Sequence, residues 1–198
     1  ERGRDHTPDV ARHLLRGLDV GSAGCASGQG PVDMGARSDD DKGIDSGSAY
    51  VYNREDGNWT LEQKLTPSDG ANSDYFGFAI ALSGDDLIVS SYWDDDKGSN
   101  SGSAYVYTRS GNNWNLQQKL TASDGLGNDN FGFAVAVDGT RLVIGSPNDD
   151  ENGSDKGSIH IYDVAGAAWL LEQKVLAPNG QTNDEFGFAV ASSNGTVV

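Results

Sequence analysis

Large and small residues alternate along several short stretches of the chain, and glycine, asparagine and aspartate separate these stretches. In FGFAIALSG, from Phe76 to Gly84, the bulky side chains at alternate positions are separated by glycine and alanine. A period of two residues is typical of a β-strand, and the small residues predict that another element packs very closely on their side. The segment therefore predicts a strand with one bulky face and one nearly bare face.

This pattern recurs along the chain without insertions or deletions. Trp59, Trp114 and Trp169 lie 55 residues apart, and GSAYVY occurs both at 47–52 and at 102–107. Similarity at a fixed period identifies a structural unit that is used repeatedly. The chain is therefore predicted to be a repeat protein.

Each repeat contains four strand-like stretches, which in the second repeat are FGFAIALSG, DLIVSSY, GSAYVYTR and NWNLQQKL. The first has the smallest residues, the second is a continuous apolar run, and the fourth is polar on one face. These features predict an all-β fold made of β-propeller blades, each with four antiparallel strands and its first strand innermost. A β-solenoid is the alternative, but its coils usually contain only about 20–29 residues.

The pattern divides the chain into a non-repeat segment, 1–30, and a repeat region, 31–198. The repeat region is predicted to contain a partial blade at 31–67, blades at 68–122 and 123–177, and a partial blade at 178–198. About three blades are fewer than the four to eight that close a ring. The sequence therefore predicts either an incomplete propeller or one that a second chain completes.

The segment before the repeats has signals of a short helix. Thr7 is a suitable N-cap, Pro8 suits the first turn, and Gly17 suits the end of a helix. We therefore expect a helix over 8–16. It would either dock over an exposed strand edge or belong to a leader that has no part in the fold.

The stretch FGFAVAVDGTRLVIGSPNDD resembles the FG-GAP repeat, the blade unit of the integrin α-subunit propeller and of many bacterial surface proteins. Phe131-Gly132 corresponds to the FG element and Gly145–Pro147 to the GAP element, whereas Ser90–Tyr92 departs from GAP. The resemblance implies a β-propeller with a role in extracellular binding or adhesion. Calcium-binding members of that family have a DxDxDG cluster between the first two strands, where this chain has only LSGDD or VDGTR. That calcium site is therefore not carried over.

The net charge limits the partners of the chain. It has 30 acidic and 14 Lys and Arg residues, for a net charge of −16, which excludes the basic surface that nucleic acids and anionic membranes require. No apolar run is long enough to predict insertion into a membrane. Cys25 is the only cysteine, so an intrachain disulfide is excluded.

Acidic residues are concentrated in two recurring loops, one between the second and third strands and one before each new blade. Both loops are expected on the same face of a propeller. Calcium is the cation that such irregular oxygen-rich loops would bind, and tight turns also require Asp, Asn and Gly, so both interpretations stay open. The candidate calcium ligands are Asp39, Asp41, Asp45, Asp74, Asp94, Asp96, Asp129, Asp149, Asp155 and Asp184.

Two aromatic residues next to an acidic loop are the candidate ligand-binding residues. Tyr92 and Trp93 stand where the next repeat has Pro147 and Asn148, and they would either stack on a sugar ring or pack between blades. His160 is explained better by packing than by catalysis, and no catalytic residues are predicted.

The function predicted from these features is that of a non-enzymatic extracellular or cell-surface module. It would present acidic loops, ordered by calcium, to a protein or glycan partner. The first alternative is a structural subunit that forms homo-oligomers through open strand edges. The second is a carbohydrate-active enzyme on a propeller scaffold.

Overall fold

The computed structural model describes residues 31–151 and 153–198, so the helix predicted over 8–16 lies outside the described part of the chain. The strands in this part are β1 (Val32–Ala36), β2 (Ser48–Glu55), β3 (Asn58–Leu65), β4 (Ile80–Ser83), β5 (Asp86–Ser91), β6 (Ser103–Ser110), β7 (Asn113–Leu120), β8 (Ala134–Asp138), β9 (Arg141–Ser146), β10 (Ser158–Ala165), β11 (Ala168–Leu176), β12 (Ser192–Ser193) and β13 (Thr196–Val197).

These strands form antiparallel sheets in which neighbours in sequence are neighbours in space. Sheet 1 has the order β1-β2-β3, sheet 2 the order β4-β5-β6-β7, and sheet 3 the order β8-β9-β10-β11. The C-terminal hairpin pairs β12 with β13. The prediction of an all-β fold with four-stranded antiparallel sheets in a repeat of about 55 residues is confirmed, because sheets 2 and 3 are complete units of this kind.

The sheets lie side by side with the first strand of each unit on the inside. β4 lies next to β8 and β1, and β8 lies next to β12, whereas β7 lies between β3 and β11 at the other end of the sheets. Every residue of β4 from Ile80 to Leu82 is buried, but most of β7 is exposed or half-buried. This is the arrangement of propeller blades, in which small residues line the crowded inner strands.

Two apolar clusters hold the three sheets together. The first fills the space between sheets 1 and 2 and includes Val51, Phe76, Tyr107 and Trp114. The second fills the space between sheets 2 and 3 and includes Ala79, Ala81, Val106, Phe131, Tyr162 and Trp169. Bulky and small residues of the predicted first strand therefore do face opposite neighbours.

The FG element differs from the expected strand, because β4 begins only at Ile80. Gly77 has a φ of +89°, and a Cβ atom there would lie 2.3 Å from the backbone oxygen of Ser48 in sheet 1. A side chain here would be strained by the positive φ angle and would also clash with the oxygen of Ser48, so glycine is required at this position. The turn at Gly77 moves Phe78 out of the alternation, and its ring packs on Phe133 of the next repeat, 5.1 Å between ring centroids.

Candidate functional site

Lys119 on β7 is surrounded by carboxylates at the face where the acidic loops lie. Its Nζ atom lies 2.7 Å from Asp69, 2.7 Å from Asp94 and 2.6 Å from Asp96. Asp69 precedes sheet 2, whereas Asp94 and Asp96 belong to the loop between β5 and β6. The lysine therefore joins the two acidic loops of the repeat, and we call this set the Lys119 cluster.

Asp94 is the buried member of this cluster, with only 4% of its surface exposed. Its Oδ2 atom accepts hydrogen bonds from the hydroxyls of Ser103 (2.8 Å) and Tyr105 (3.0 Å), and its Oδ1 atom accepts one from the backbone of Asp96. The donors come from β6, which places Ser and Tyr on one side of the sheet at alternate positions. A buried carboxylate with this many donors is well compensated for the loss of water.

The same cluster is built again in sheet 3. Lys174 Nζ lies 2.7 Å from Asp124, 2.6 Å from Asp149 and 2.8 Å from Glu151, which stands where sheet 2 has an aspartate. The hydroxyl of Ser158 donates to Asp149 Oδ2 at 2.7 Å. In spite of its burial, which would raise the pKa, the hydrogen bonds from Lys174, the Glu151 backbone and Ser158 lower the pKa of Asp149 below its usual value.

Sheet 1 contains the corresponding cluster around Lys64. Its Nζ atom lies 2.9 Å from Asp39 and also contacts Asp41, while Ser48 and Tyr50 each donate a hydrogen bond to Asp39 at 2.9 Å. The lysine in each repeat has a pKa well above its usual range. Burial lowers this pKa, but the hydrogen bonds to the carboxylates raise it by more than burial lowers it.

The ammonium group of Lys119 occupies the position that a metal ion would need in this cluster. Oxygen atoms of Asp69, Asp94 and Asp96 lie within 4.8 Å of one another, a spacing that would suit a cation. Lys119 already contacts all three carboxylates, so calcium would fit this cluster only if the lysine moved away. In the arrangement described here, the residues do not fit a calcium ion.

Three other candidate calcium ligands stabilise the turns before each first strand. Asp74 accepts a hydrogen bond from the backbone of Ala71 (2.6 Å), and Asp129 accepts one from the backbone of Leu126 (2.7 Å). The corresponding bond of Asp184 is 2.6 Å long. Burial, together with the nearby negative charge of the acidic loop, raises the pKa of Asp129 to about 6.

The last two candidate ligands, Asp45 and Asp155, lie at the tips of their loops. Both have positive φ angles, 54° and 49°, and their backbone oxygens accept hydrogen bonds from Tyr75 and Glu185 in the next loop. These aspartates therefore fix the contact between the two acidic loops through their backbones, and the structure does not bring their side chains into the lysine clusters.

The sequence analysis missed the lysines and several of their partners. Lys64, Lys119 and Lys174 recur in EQKL, QQKL and EQKV, and Asp69 and Asp124 recur in SDG. The recurrence was visible, but the lysines lie on the fourth strand, and Asp69 and Asp124 lie in the other acidic loop, before each new blade. Only the pairing of β6 with β7 and of β10 with β11 shows that they meet.

An aromatic group lies on sheet 2 around the two candidate ligand-binding residues. Trp93 and Tyr75 pack edge to face with ring centroids 4.9 Å apart, and Tyr92 lies 5.4 Å from Trp93 and 4.0 Å from Phe78. Tyr92 is buried under the others, whereas Tyr75 and Trp93 are half-buried. We call Tyr75, Tyr92 and Trp93 the aromatic triad.

The aromatic triad is specific to one repeat. Tyr75 corresponds to Asn130 in the next repeat and to Glu185 in the one after it. All three have positive φ angles, so the backbone conformation belongs to the repeat. Asn tolerates this conformation well, whereas a bulky aromatic residue is an uncommon choice there.

His160 occupies an internal position on β10 that is tyrosine in the other sheets. It is fully buried, packs edge to face on Phe131 with centroids 5.0 Å apart, and lies 3.2 Å from the hydroxyl of Ser158. Burial, reinforced by the charge of Lys174, lowers the pKa of His160 to about 4. The imidazole is therefore neutral near pH 7 and has no access to solvent.

Comparison with known proteins identifies the repeat. The family model described as FG-GAP repeat matches residues 59–107, 114–162 and 169–198, which together make up well over half of the chain. No curated protein sequence shows significant similarity to the chain. Among the residues that the structure describes, there is no helix with the length and apolar character needed to cross a membrane. The chain belongs to the FG-GAP repeat family.

Proposed function

We propose that this chain is a non-enzymatic extracellular or cell-surface binding module, and that the aromatic triad contacts a glycan ligand. The observation that carries the proposal is the departure of sheet 2 from the repeat. Tyr75, Tyr92 and Trp93 replace smaller or polar residues at three positions that meet on one surface. Tyr92 packs under the group against Phe78, while Tyr75 and Trp93 stay half-buried, so the three changes together create a partly exposed aromatic surface that the corresponding positions of the other repeats lack.

The chemistry of this surface suits a sugar. The rings of Tyr75 and Trp93 are half-buried, and the Arg37 guanidinium lies over one face of Tyr75, 5.9 Å from its centroid. The exposed parts of the two rings would pack on the C–H groups of a pyranose ring. Asp95 and Asp96 lie exposed in the adjoining loop and would accept hydrogen bonds from sugar hydroxyls. A neutral glycan avoids the repulsion that the acidic loops would exert on an anionic one.

A protein with a basic surface is the second candidate partner. Asp40, Asp95 and Asp150 are exposed at equivalent positions of the three acidic loops, so the same face carries negative charge in every sheet. Such a face would attract a positively charged protein, and the attraction would weaken with added salt. Binding of a neutral glycan would change little with salt, which separates the two candidates.

Calcium stays in the proposal only for a state in which the lysine has left the carboxylates, since the ion does not fit while Lys119 contacts all three. The test is the melting temperature in calcium and in chelator at the same ionic strength, because salt alone also screens the loops. A higher melting temperature in calcium is the expected result if the ion binds. Equal melting temperatures would remove calcium from the proposal.

The absence of enzymatic activity is proposed on two grounds. The FG-GAP repeat implies a binding or adhesion propeller, and His160, the histidine within the repeat region, is buried away from solvent. We expect no hydrolysis of neutral or acidic polysaccharides by the purified chain. Release of reducing ends that is lost on replacement of a single carboxylate would contradict this part of the proposal.

Ligand binding is tested by calorimetric titration with neutral oligosaccharides of glucose, galactose and N-acetylglucosamine. Trp93→Ala and Tyr75→Ala should each weaken binding by about tenfold, because a ring contact contributes on the order of 1 kcal/mol. Leu116→Ala is the matched control, since it removes an exposed apolar side chain from the outer strand of the same sheet. Equal losses in all three variants, or no binding by the unaltered protein, would contradict a glycan site at the triad.

A further inference from the structure

The two contacts between neighbouring sheets are built in the same way, so they show what a further contact of this kind requires. Each uses one face of a sheet, with Trp, Tyr and Phe, against the opposite face of the preceding sheet, with Ala and Val. The side of sheet 1 that points away from sheet 2 is a face of the aromatic kind, and we call it the N-terminal face. Sheet 3 has the second kind on its outer side, which we call the C-terminal face.

The N-terminal face lacks the cover that its equivalents have. Trp59 is 50% exposed, whereas Trp114 and Trp169 at the same position of sheets 2 and 3 are 2% and 1% exposed. Tyr52 is likewise half-buried, whereas Tyr107 is buried. Nothing in the repeat accounts for an exposed tryptophan here except the lack of a preceding sheet among the described residues.

The C-terminal face is open in the complementary way. Val51 and Val106 are fully buried under the next sheet, but Ile161 at the same position of sheet 3 is only half-buried. Val175 is also half-buried, whereas Leu120 at its position in sheet 2 is buried. The C-terminal hairpin therefore leaves much of this face uncovered.

Hydrogen-bonding groups on the C-terminal face also match those of the N-terminal face. Gln63 and Gln118 each bond the backbone of the tryptophan in the following sheet. Gln173 is the third member of this series and is exposed, with no such partner among the described residues. The backbone of Trp59 is the corresponding group on the N-terminal face.

The inner strand position repeats this complementarity. Gly132 donates its N–H to the backbone oxygen of Gly145, 3.0 Å away, which joins the FG element to the second strand of its own sheet. Gly187 has the place of Gly132 in the last repeat, and Gly35 has the place of Gly145 in sheet 1. Within residues 31–151 and 153–198, neither has this partner.

We propose that the C-terminal face of one copy of this chain binds the N-terminal face of a second copy, with Gly187 pairing to Gly35 across the contact. Such a contact would repeat the two contacts between sheets that are already present within the chain. Thr196–Val198 have the same positions in the repeat as residues 31–33, so both segments would occupy the same place in the contact and one of them has to move away. The described residues of two copies joined at both faces would contribute six sheets, a number within the range of closed propellers.

The mass of the full chain in solution is the first test, measured by light scattering over a hundredfold range of concentration. We expect twice the 20.9 kDa of the single chain, and more association at higher salt because each copy has a net charge of −16. A mass of 20.9 kDa at every concentration and salt would overturn the proposal.

Two variants provide a sharper test, because each blocks one face only. Trp59→Ala removes the exposed ring of the N-terminal face, and Ile161→Asp places a charge on the C-terminal face. Each variant alone should lose the closed dimer. An equal mixture should regain a dimer, since an intact face remains on each partner, and a mixture that stays at the single-chain mass would overturn a head-to-tail contact.

Leu171→Ala is the matched control, since Leu171 is exposed like Leu116 of sheet 2 and therefore lies outside the repeated contact. It should leave the dimer unchanged. Residues 1–30 of the same chain are the other possible cover of the N-terminal face, and tryptophan quenching by acrylamide tests for it. A single-chain mass with Trp59 protected from the quencher would show that these residues cover the face. That outcome also overturns the proposal.

Discussion

The side-chain amide of Gln118 exchanges two hydrogen bonds with the backbone of Trp169 in the neighbouring sheet. The amide nitrogen donates to the carbonyl of Trp169 at 3.0 Å, and the amide oxygen accepts from its N–H at 2.9 Å. Gln63 and Trp114 repeat the arrangement at 3.0 and 2.7 Å. The glutamine thus links outer strands that belong to different sheets, at the end where the sheets are farthest from the inner strands.

Replacing this glutamine should destabilise the contact between sheets 2 and 3. Gln118→Ala leaves the N–H and the carbonyl of Trp169 without their partners, so we expect a loss of about 1–3 kcal/mol in the free energy of unfolding. Urea denaturation at low protein concentration measures the loss. Gln173→Ala is the control and should have no effect under these conditions, since Gln173 has no such partner among residues 31–151 and 153–198. Equal effects of the two substitutions would contradict the role of the link.

The Lys119 cluster predicts a large effect of removing one charge. Lys119→Met leaves Asp94 buried with no ammonium to balance it, and such a change costs about 3 kcal/mol in a buried cluster. Lys97→Met is the matched control, because it removes the same charge from the exposed side of the same loop. We expect denaturant unfolding to show a large loss for Lys119→Met and a change within about 0.5 kcal/mol for Lys97→Met.

The same variant tests whether lysine and calcium compete for the carboxylates. Without the ammonium, Asp69, Asp94 and Asp96 keep the spacing that suits a cation. Calcium should therefore raise the melting temperature of Lys119→Met by several degrees more than that of the unaltered chain. The same shift in both proteins would show that calcium acts elsewhere on the molecule.

His160 predicts a loss of stability in mild acid. Its pKa is lowered from 6.5 to about 4 on folding, so between these values the unfolded chain binds a proton that the folded chain does not. Burial of the neutral imidazole therefore has no protonation cost above pH 6.5, and the free energy of unfolding decreases as the pH falls towards 4. Between pH 8 and pH 5 this amounts to about 2 kcal/mol.

His160→Tyr isolates this effect, because sheets 1 and 2 have Tyr50 and Tyr105 at the same position. The variant should keep more of its stability at pH 5 than the unaltered chain, as measured by urea denaturation at both pH values. Comparing the two proteins cancels the opposite contribution of Asp129, whose raised pKa favours folding in acid. Parallel changes in both proteins would contradict the burial of a neutral imidazole.

The sheets could be predicted from the sequence because the same pattern of strands recurs every 55 residues. The small residues of FGFAIALSG predicted close packing, and the structure places Gly77 against Ser48. Phe78 was assigned to the wrong face, because the alternation rule assumes an extended backbone and Gly77 has a positive φ angle. Local pattern therefore predicts the strands but not the turn that precedes them.

The lysine clusters could not be predicted in the same way. Charge composition shows an excess of carboxylates, but it does not show which cation balances which anion. Lys119 and Asp69 are 50 residues apart, and their contact depends on strand pairing and on the path of the loop before sheet 2. The aromatic triad was found in part, since Tyr92 and Trp93 depart visibly from the repeat. Tyr75 was missed because its partners lie in another loop.

Asp33 on β1 is a charged residue at a position that is apolar in the other two sheets, where Ile88 and Val143 are fully buried. It is 3% exposed, and its Oδ2 atom has no hydrogen-bond partner among the described residues. Burial raises the pKa of Asp33 to about 6, only partly offset by a backbone hydrogen bond. The carboxyl of Asp33 therefore keeps its proton to a higher pH in the folded chain than in the unfolded chain.

Replacement of this residue should stabilise the chain in a pH-dependent way. An acid with a raised pKa costs nothing below pH 4, and its cost grows as the pH rises through 6, so Asp33→Ile should gain about 3 kcal/mol at pH 8 and clearly less at pH 5. Asp33→Asn is the control: it removes the charge, keeps the polar group, and should gain less. Denaturant unfolding at both pH values measures these gains, and a gain from Asp33→Ile that is the same at both would show that folding does not raise the pKa of Asp33.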